Sequence, residues 1–240
     1  MSAAGKVGPV GQVDLPGQAW VADGPIDHVG MYAMHYAFRR DLADLAATVP
    51  RTAVEDRHAW RALDAYWRLF AELLHHHHTV EDEHYWPALS VAVDRRGDED
   101  DRALVAAMAD EHAEIAPALV AVGIGFDAMR RHASVSVRHQ VADGLSHLRT
   151  ALEDHLAHEE RETLPLVQRV LDGPAYEDVE RAIGRAYPLR LVLTLVPWVT
   201  YGLNEEDAAQ VWERAGRPHR VVHRLTRRGF ERRHRDAFGG

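Results

Sequence analysis

Apolar residues recur at alternating spacings of three and four in four segments of the chain, the pattern of helices that bury one seam in a bundle. The first seam runs Met31, His35, Phe38, Leu42, Leu45, Val49, and the second Leu63, Phe70, Leu74, His77, Glu81, His84. The third runs Val105, Met108, His112, Ile115, Leu119, Val122, Phe126, and the fourth Val141, Leu145, Leu148, Leu152, His155, Glu159, Glu162, Leu166. Strand signals are nearly absent. The pattern predicts an all-α fold, an antiparallel up-down-up-down four-helix bundle with a C-terminal helical extension. Each seam is interrupted near one level by His, and the second and fourth also by Glu one turn later.

Turn chemistry divides the chain at matching places. Pro50 closes the first helix, Thr52 with Glu55 offers a capping box for the second, Gly97-Asp98 separates second from third, Ser134 caps the fourth, and Gly173-Pro174 ends it. Antiparallel neighbours share a level only when their turn lies midway between the residues concerned. The midpoint from His77/Glu81 to His112 falls at 94–97, where Arg96-Gly97-Asp98 sits, and that from His112 to His155/Glu159 at 133–136, beside Ser134. From His35 to His77/Glu81 it falls past Pro50-Thr52, so that connection must be longer or more irregular. Farther on, Pro188 opens a helix through an apolar run, and Asn204 caps another that stops at Gly216. The expected organisation is a flexible N-terminal segment over 1–25, a four-helix bundle over 26–172 and accessory helices over 175–240.

Among the 240 residues there is no Cys, which excludes disulfides, thiolate metal sites, iron–sulfur clusters and cysteine nucleophiles. The Gly/Pro-rich start lacks the features of a signal peptide, so a cytoplasmic location is expected. The longest apolar run, Leu189 to Leu203, is interrupted by Arg190 and Pro197 and is too short for the roughly 30 Å hydrocarbon core, so no membrane span is expected. The net charge of −9 is uneven: from Arg214 onward nine Arg face only Glu231 and Asp236, leaving −16 for everything before. With no nucleic-acid motif beside it, this basic strip is expected to dock on the acidic bundle.

The 17 His residues change the picture most. His77 with Glu81, and His155 with Glu159, point the same way one turn apart, and His77 to Pro87 and His155 to Pro165 both read H-x3-E-x5-P. With His35 and His112 they offer four imidazoles and two carboxylates to one slab of core. Burying these groups without partners would be strongly destabilising, so two cations are expected among them, each Glu bridging and each metal taking two His. Mixed imidazole and carboxylate donors suit Fe, Mn or Zn. In the run His75 to His78, four successive helical residues point to all sides, so only one or two can face the core. Tyr32, His84 and Glu162 stand near the ligands and could support them from behind. His28, His158, Asp82 and Glu160 are read as surface or supporting groups.

These residues resemble the hemerythrin-like (HHE cation-binding) family across roughly 26–172. The resemblance rests on the helix-A segment from His35 to Leu42, on the two H-x3-E motifs followed by Pro, and on the Glu111-His112 pair. It implies two iron ions with an oxo or hydroxo bridge and a diatomic or peroxide ligand: O2, peroxide or nitric oxide. The oxygen carriers of that family have H-x4-D on the last helix and two His on the third, whereas here Met108 and Ala116 flank His112. One imidazole fewer favours redox reaction or sensing over reversible storage. Two other functional classes stand beside this one: a di-iron oxidase or oxygenase acting on a small organic substrate, and a metal- or redox-sensing regulator using the basic tail. Accessory helices bearing Trp198, Tyr201 and Trp212 would suit the lining of an organic site. A rival ferritin-like arrangement needs E-x2-H from each half. Glu55–His58, Glu72–His75 and Glu81–His84 have that spacing, but the fourth helix does not.

Overall fold

The computed structural model describes residues 12–239, and these are helical with no strand among them. The order is α1 (Val29–Thr48), α2 (Arg57–Val80), α3 (Trp86–Arg96), α4 (Glu99–Arg131), α5 (Val135–His158), α6 (Leu164–Val170), α7 (Gly173–Ala186), α8 (Leu189–Val199) and α9 (Glu205–Phe238). α2 runs into α3, and α5 into α6, through single π-helical turns, Glu81–Tyr85 and Glu159–Thr163. α4 packs along α5 and α2, and α1 along α5 and α2. α4 also has the length and apolar content of a membrane-crossing helix.

The ends of the helices are set by side chains that satisfy the first free amides. Asp98 and Asp101 form a reciprocal capping box at α4, Ser134 caps α5, and Asn204 caps α9. α2 departs from expectation. Its cap is Asp56, which accepts from the amides of His58 and Ala59, while the Thr52 hydroxyl bonds back to Thr48 O. The α1–α2 link therefore runs to Asp56 through the short 3-10 turn Val49–Arg51, as the midpoint of His35 and His77/Glu81 requires. Gly173-Pro174 does not simply end a helix but opens α7, with Asp172 as its cap. Gly216, at φ 77° and ψ 177°, breaks α9, and the basic segment continues as helix beyond it.

Two apolar clusters result. The first holds Phe38, Leu42, Phe70, Leu74, Ile115, Phe126, Leu145 and Leu152, and the second Tyr85, Trp86, Leu89, Val105, Met108 and Leu166. Burying each such side chain contributes roughly 1.5–3 kcal/mol. Along α2–α3 the first cluster stops at Leu74 and the second starts at Tyr85. Along α4 the second ends at Met108 and the first resumes at Ile115. His77, His78, Glu81 and His112 occupy the gap on these helices, whereas on α1 and α5–α6 the first cluster continues on both sides of His35 and Glu159 through Tyr32, Phe38, Leu156 and Leu164.

Residues 12–25, expected within a flexible lead-in, are packed instead: Val13 and Leu15 are buried, and Ala22 N–H donates to the Tyr32 hydroxyl at 2.8 Å. The remainder of that expected segment, 1–11, lies outside the described residues. The extension is seated by Asp41, fully buried on α1. Its carboxylate accepts from the Trp198 indole at 2.6 Å, the Tyr66 hydroxyl at 2.9 Å and the Arg40 guanidinium at 2.6 Å. Arg40 in turn donates to the carbonyls of Trp198 and Tyr201. The basic tail docks, but through rings more than arginines: Phe238 and Phe230 pack on Tyr66, His234 reaches Asp44 at 3.2 Å, and Arg224, Arg228, Arg232 and Arg233 are exposed.

Because Asp41 is the charge partner of a largely buried arginine, Asp41→Ala is expected to lower stability by about 3–5 kcal/mol. The midpoint of urea unfolding measures this, and an unchanged midpoint would show that the hub carries no stability.

Candidate metal centre

The two H-x3-E-x5-P motifs fold alike for a local reason. Pro87 and Pro165 have no N–H to offer the carbonyls of Glu83 and Arg161, four residues back, and their rings crowd those carbonyls. The helix widens by one residue: Trp86 N–H bonds to Glu81 O, and Leu164 N–H to Glu159 O. Each candidate carboxylate is thus the first residue of a π turn. The added residue also shifts the inward face. Tyr85 and Thr163 take the buried positions, whereas His84 is half-buried and Glu162, with its side chain 62% exposed, approaches only His158. The supporting roles read for His84 and Glu162 assumed an unbroken α-helical period, which the prolines interrupt.

The structure brings His35, His77, Glu81, His112, His155 and Glu159 together, all buried. It adds His78, whose ring stacks on His112 at 3.9 Å and meets His155 edge-on at 5.3 Å. Two trios have their ligand atoms within 4.8 Å of one another: His35, His77 and Glu159, and His78, His112 and His155. Glu81 reaches both, with Oε1 3.2 Å from His77 Nε2 and Oε2 3.6 Å from His112 Nε2. The expected shortage of one imidazole counted only the third helix; the fifth ring comes from the second. Its signal was present in the spacing, since His78 and His77 lie three and four residues before Glu81 and both flank it on a helix. Of the three E-x2-H pairs, only Glu81 enters the cluster; Glu55, His58 and His75 are exposed.

Carboxylates fix the rings from behind. His35 Nδ1 donates to Glu160 at 2.9 Å, His112 Nδ1 to Asp82 at 2.8 Å, and His155 Nδ1 to Glu111 at 2.8 Å. An ionised carboxylate only accepts, so each of these rings carries its proton on Nδ1 and turns Nε2 to the centre. Glu160 and Asp82 are equivalent residues, each following a candidate ligand Glu and each serving a His on a neighbouring helix. Glu160 is itself held by Arg39 at 2.7 Å and by Ala19 N–H at 2.6 Å. His158 Nδ1 shares Glu111. His28, read as a surface or supporting group, is fully buried against the edges of Tyr32 and Tyr176, and burial pulls it down to about 4. The Tyr32 hydroxyl is engaged by Ala22 N–H.

Electrostatics set the two carboxylates apart. Burial, with the charges of Glu159 and Asp82, pushes Glu81 well above the ordinary carboxylate range. Burial acts on Glu159 in the same sense, but His35, His155 and His112 outweigh it and hold Glu159 low. Burial opposes charge on His35, yet Glu159 and Glu160 lift it to about 9. Burial and neighbouring imidazoles keep His77 and His78 well below their ordinary value.

Whether cations fit can be judged from the atoms left without partners. Nε2 of His35, His77 and His78 and both oxygens of Glu81 and Glu159 are buried without hydrogen-bond geometry, with His35 Nε2 and Glu159 Oε2 crowded to 3.1 Å and His77 Nε2 and Glu81 Oε1 to 3.2 Å. His112 Nε2 and His155 Nε2 face each other at 3.2 Å, both bare once their Nδ1 protons go to carboxylates. At ~1–3 kcal/mol per unsatisfied group, this arrangement costs on the order of 10 kcal/mol. Cations placed among these nitrogen and oxygen donors remove that cost, so the residues fit a metal pair of the Fe, Mn or Zn type.

Chelator-treated protein is therefore expected to gain about 2.7 kcal/mol of stability when Mn(II) or Zn(II) is added to a hundred times its dissociation constant. Coincident unfolding curves with and without cation would contradict the fit. Glu160→Gln, which spoils the orientation of His35, is expected to weaken metal affinity about 10- to 100-fold in a competition titration.

Among curated proteins and among solved structures, nothing matches the chain at the significance required. A family model described as the hemerythrin HHE cation binding domain matches residues 29–167. That stretch is more than half of the chain and contains both π-turn motifs and all seven clustered imidazole and carboxylate side chains; the chain belongs to the hemerythrin HHE cation-binding family.

Proposed function

We propose that the chain is a non-haem di-iron protein that binds or reacts with O2, peroxide or nitric oxide. One observation carries this reading: Glu81 extends one oxygen to each of two imidazole-bearing trios. In it, His35, His77 and Glu159 would hold one iron and His78, His112 and His155 the other, with Glu81 placed to serve both. Iron bound there supplies a redox change and an exchangeable position for a small molecule. The protein's own part is to orient, to shield and to balance charge. Asp82, Glu160 and Glu111 aim the imidazoles, and the apolar clusters pack around them.

The same reading takes residues 26–172 as an antiparallel up-down-up-down four-helix bundle carrying the centre, residues 175–240 as accessory helices, and the cytoplasm as the location. α1, α2–α3, α4 and α5–α6 are its four legs.

Purified protein is expected to carry about two irons per chain, and Glu159→Ala and His78→Ala each to lower that content. Full iron in both variants would remove the ligand assignment. Peroxide added without air separates the two modes of action: oxygen release marks turnover, and a stable new absorption band without consumption marks binding. If neither follows, and O2 and nitric oxide also leave the spectrum unchanged, the small-molecule reading fails.

A further inference from the structure

A cavity of about 590 Å3 lies among α1, α7, α8 and α9, and His77 and Glu81 form part of its wall. A diatomic needs little more than the ~30 Å3 share of one water, so the space far exceeds what such a ligand requires. It falls instead within the roughly 300–1,000 Å3 of sites that enclose small organic molecules. α1 supplies part of the wall through Met31 and Met34, and residues beyond the stretch matched by the family supply the rest, with Tyr187 at the end of α7, Leu195 on α8 and Trp212 on α9. Of the aromatics expected to suit an organic site, Trp212 lines this space, while Trp198 is buried on Asp41 and Tyr201 packs on Phe230 and His234.

The cavity is lopsided in charge. Arg214 lines it but already pairs with Asp27 at 2.6 Å. That leaves Glu177 and Glu180, one helical turn apart on α7, to set the sign on the solvent side, with Glu180 accepting from the Tyr176 hydroxyl and standing near Asp27. Deeper in, His77 Nε2 and both oxygens of Glu81 are buried without hydrogen bonds. The path thus leads from an acidic entrance, between apolar and aromatic walls, to unsatisfied polar atoms.

We propose that this cavity binds an amphiphilic organic cation, with its ammonium group at Glu177 and Glu180 and its apolar body between Leu195 and Trp212, directed toward His77 and Glu81. The proposal rests on the di-iron reading for what the molecule meets at the inner end, but not for its capture, which the accessory helices perform. The HHE helices hold the reactive centre, and the extension selects what reaches it.

The test is a titration of the full chain, metal-free and iron-loaded, with n-octylammonium, 1-octanol and octanoate, followed by calorimetry and tryptophan fluorescence. Octylammonium is expected to bind most tightly in both forms. Glu177→Gln combined with Glu180→Gln should weaken it at least about fivefold and leave octanol unchanged, as loss of two partly solvated charge contacts predicts. Leu195→Trp, which fills the space, should abolish binding of all three, and Glu180→Lys should turn the preference toward octanoate whether or not the filled variant folds. Octanoate binding as tightly as octylammonium, an unchanged affinity in the double Gln variant, or no binding of any probe would overturn the proposal. A chain that takes up no iron when iron is offered, yet still prefers octylammonium, would sink the di-iron reading and leave the cavity assignment intact.

Discussion

The structure is organised around one unfavourable act: placing five imidazoles and two carboxylates in a layer with apolar side chains above and below it. In water these groups would be solvated for nothing; here most of their inward atoms meet only one another and make no hydrogen bond. Cations at the middle suit such a layer, because the outward Nδ1 atoms of His35, His112 and His155 are already committed to Glu160, Asp82 and Glu111. The apolar clusters supply the stability that tolerates the layer. Rings with fixed proton positions and converging bare nitrogens form a preorganised site, in which little remains to be ordered when a cation enters.

Much of this was legible in the chain. Helical periodicity placed His35, His112 and the two H-x3-E pairs on inward faces, and those six side chains do converge. Capping chemistry located Gly97-Asp98 and Ser134 correctly, because a short side chain next to free amides has few other uses. The start of α2 was misplaced because two acceptors compete within a few residues: Thr52 turns its hydroxyl back to α1, and Asp56 wins the amides. His84 and Glu162 were carried inward by a period that holds only up to the π turn. The prolines that cause those turns were visible, but their effect on register depends on whether the helix ends, kinks or widens, and packing decides that. His78 was obscured by its neighbours, since a run of four His gives no contrast between faces.

The extension was least legible. Nothing in the pattern around Asp41 distinguishes it from the acidic residues of a solvated face, and its partners Tyr66 and Trp198 are 25 and 157 positions away. Long-range polar contacts of this kind leave no periodic trace. Similarly, the basic character of the last helix suggested ion pairing, whereas its seat on Tyr66 is made by Phe230, His234 and Phe238, which are few among the arginines.

Asp41 lies on the same helix as His35, less than two turns away, and its oxygens are spoken for by side chains from both the conserved-fold portion and the C-terminal addition. Severing the chain after α6 would strip that carboxylate of its indole and bare the ring of Tyr66 to solvent. The addition is consequently an organ of the same folding unit, not a detachable appendage.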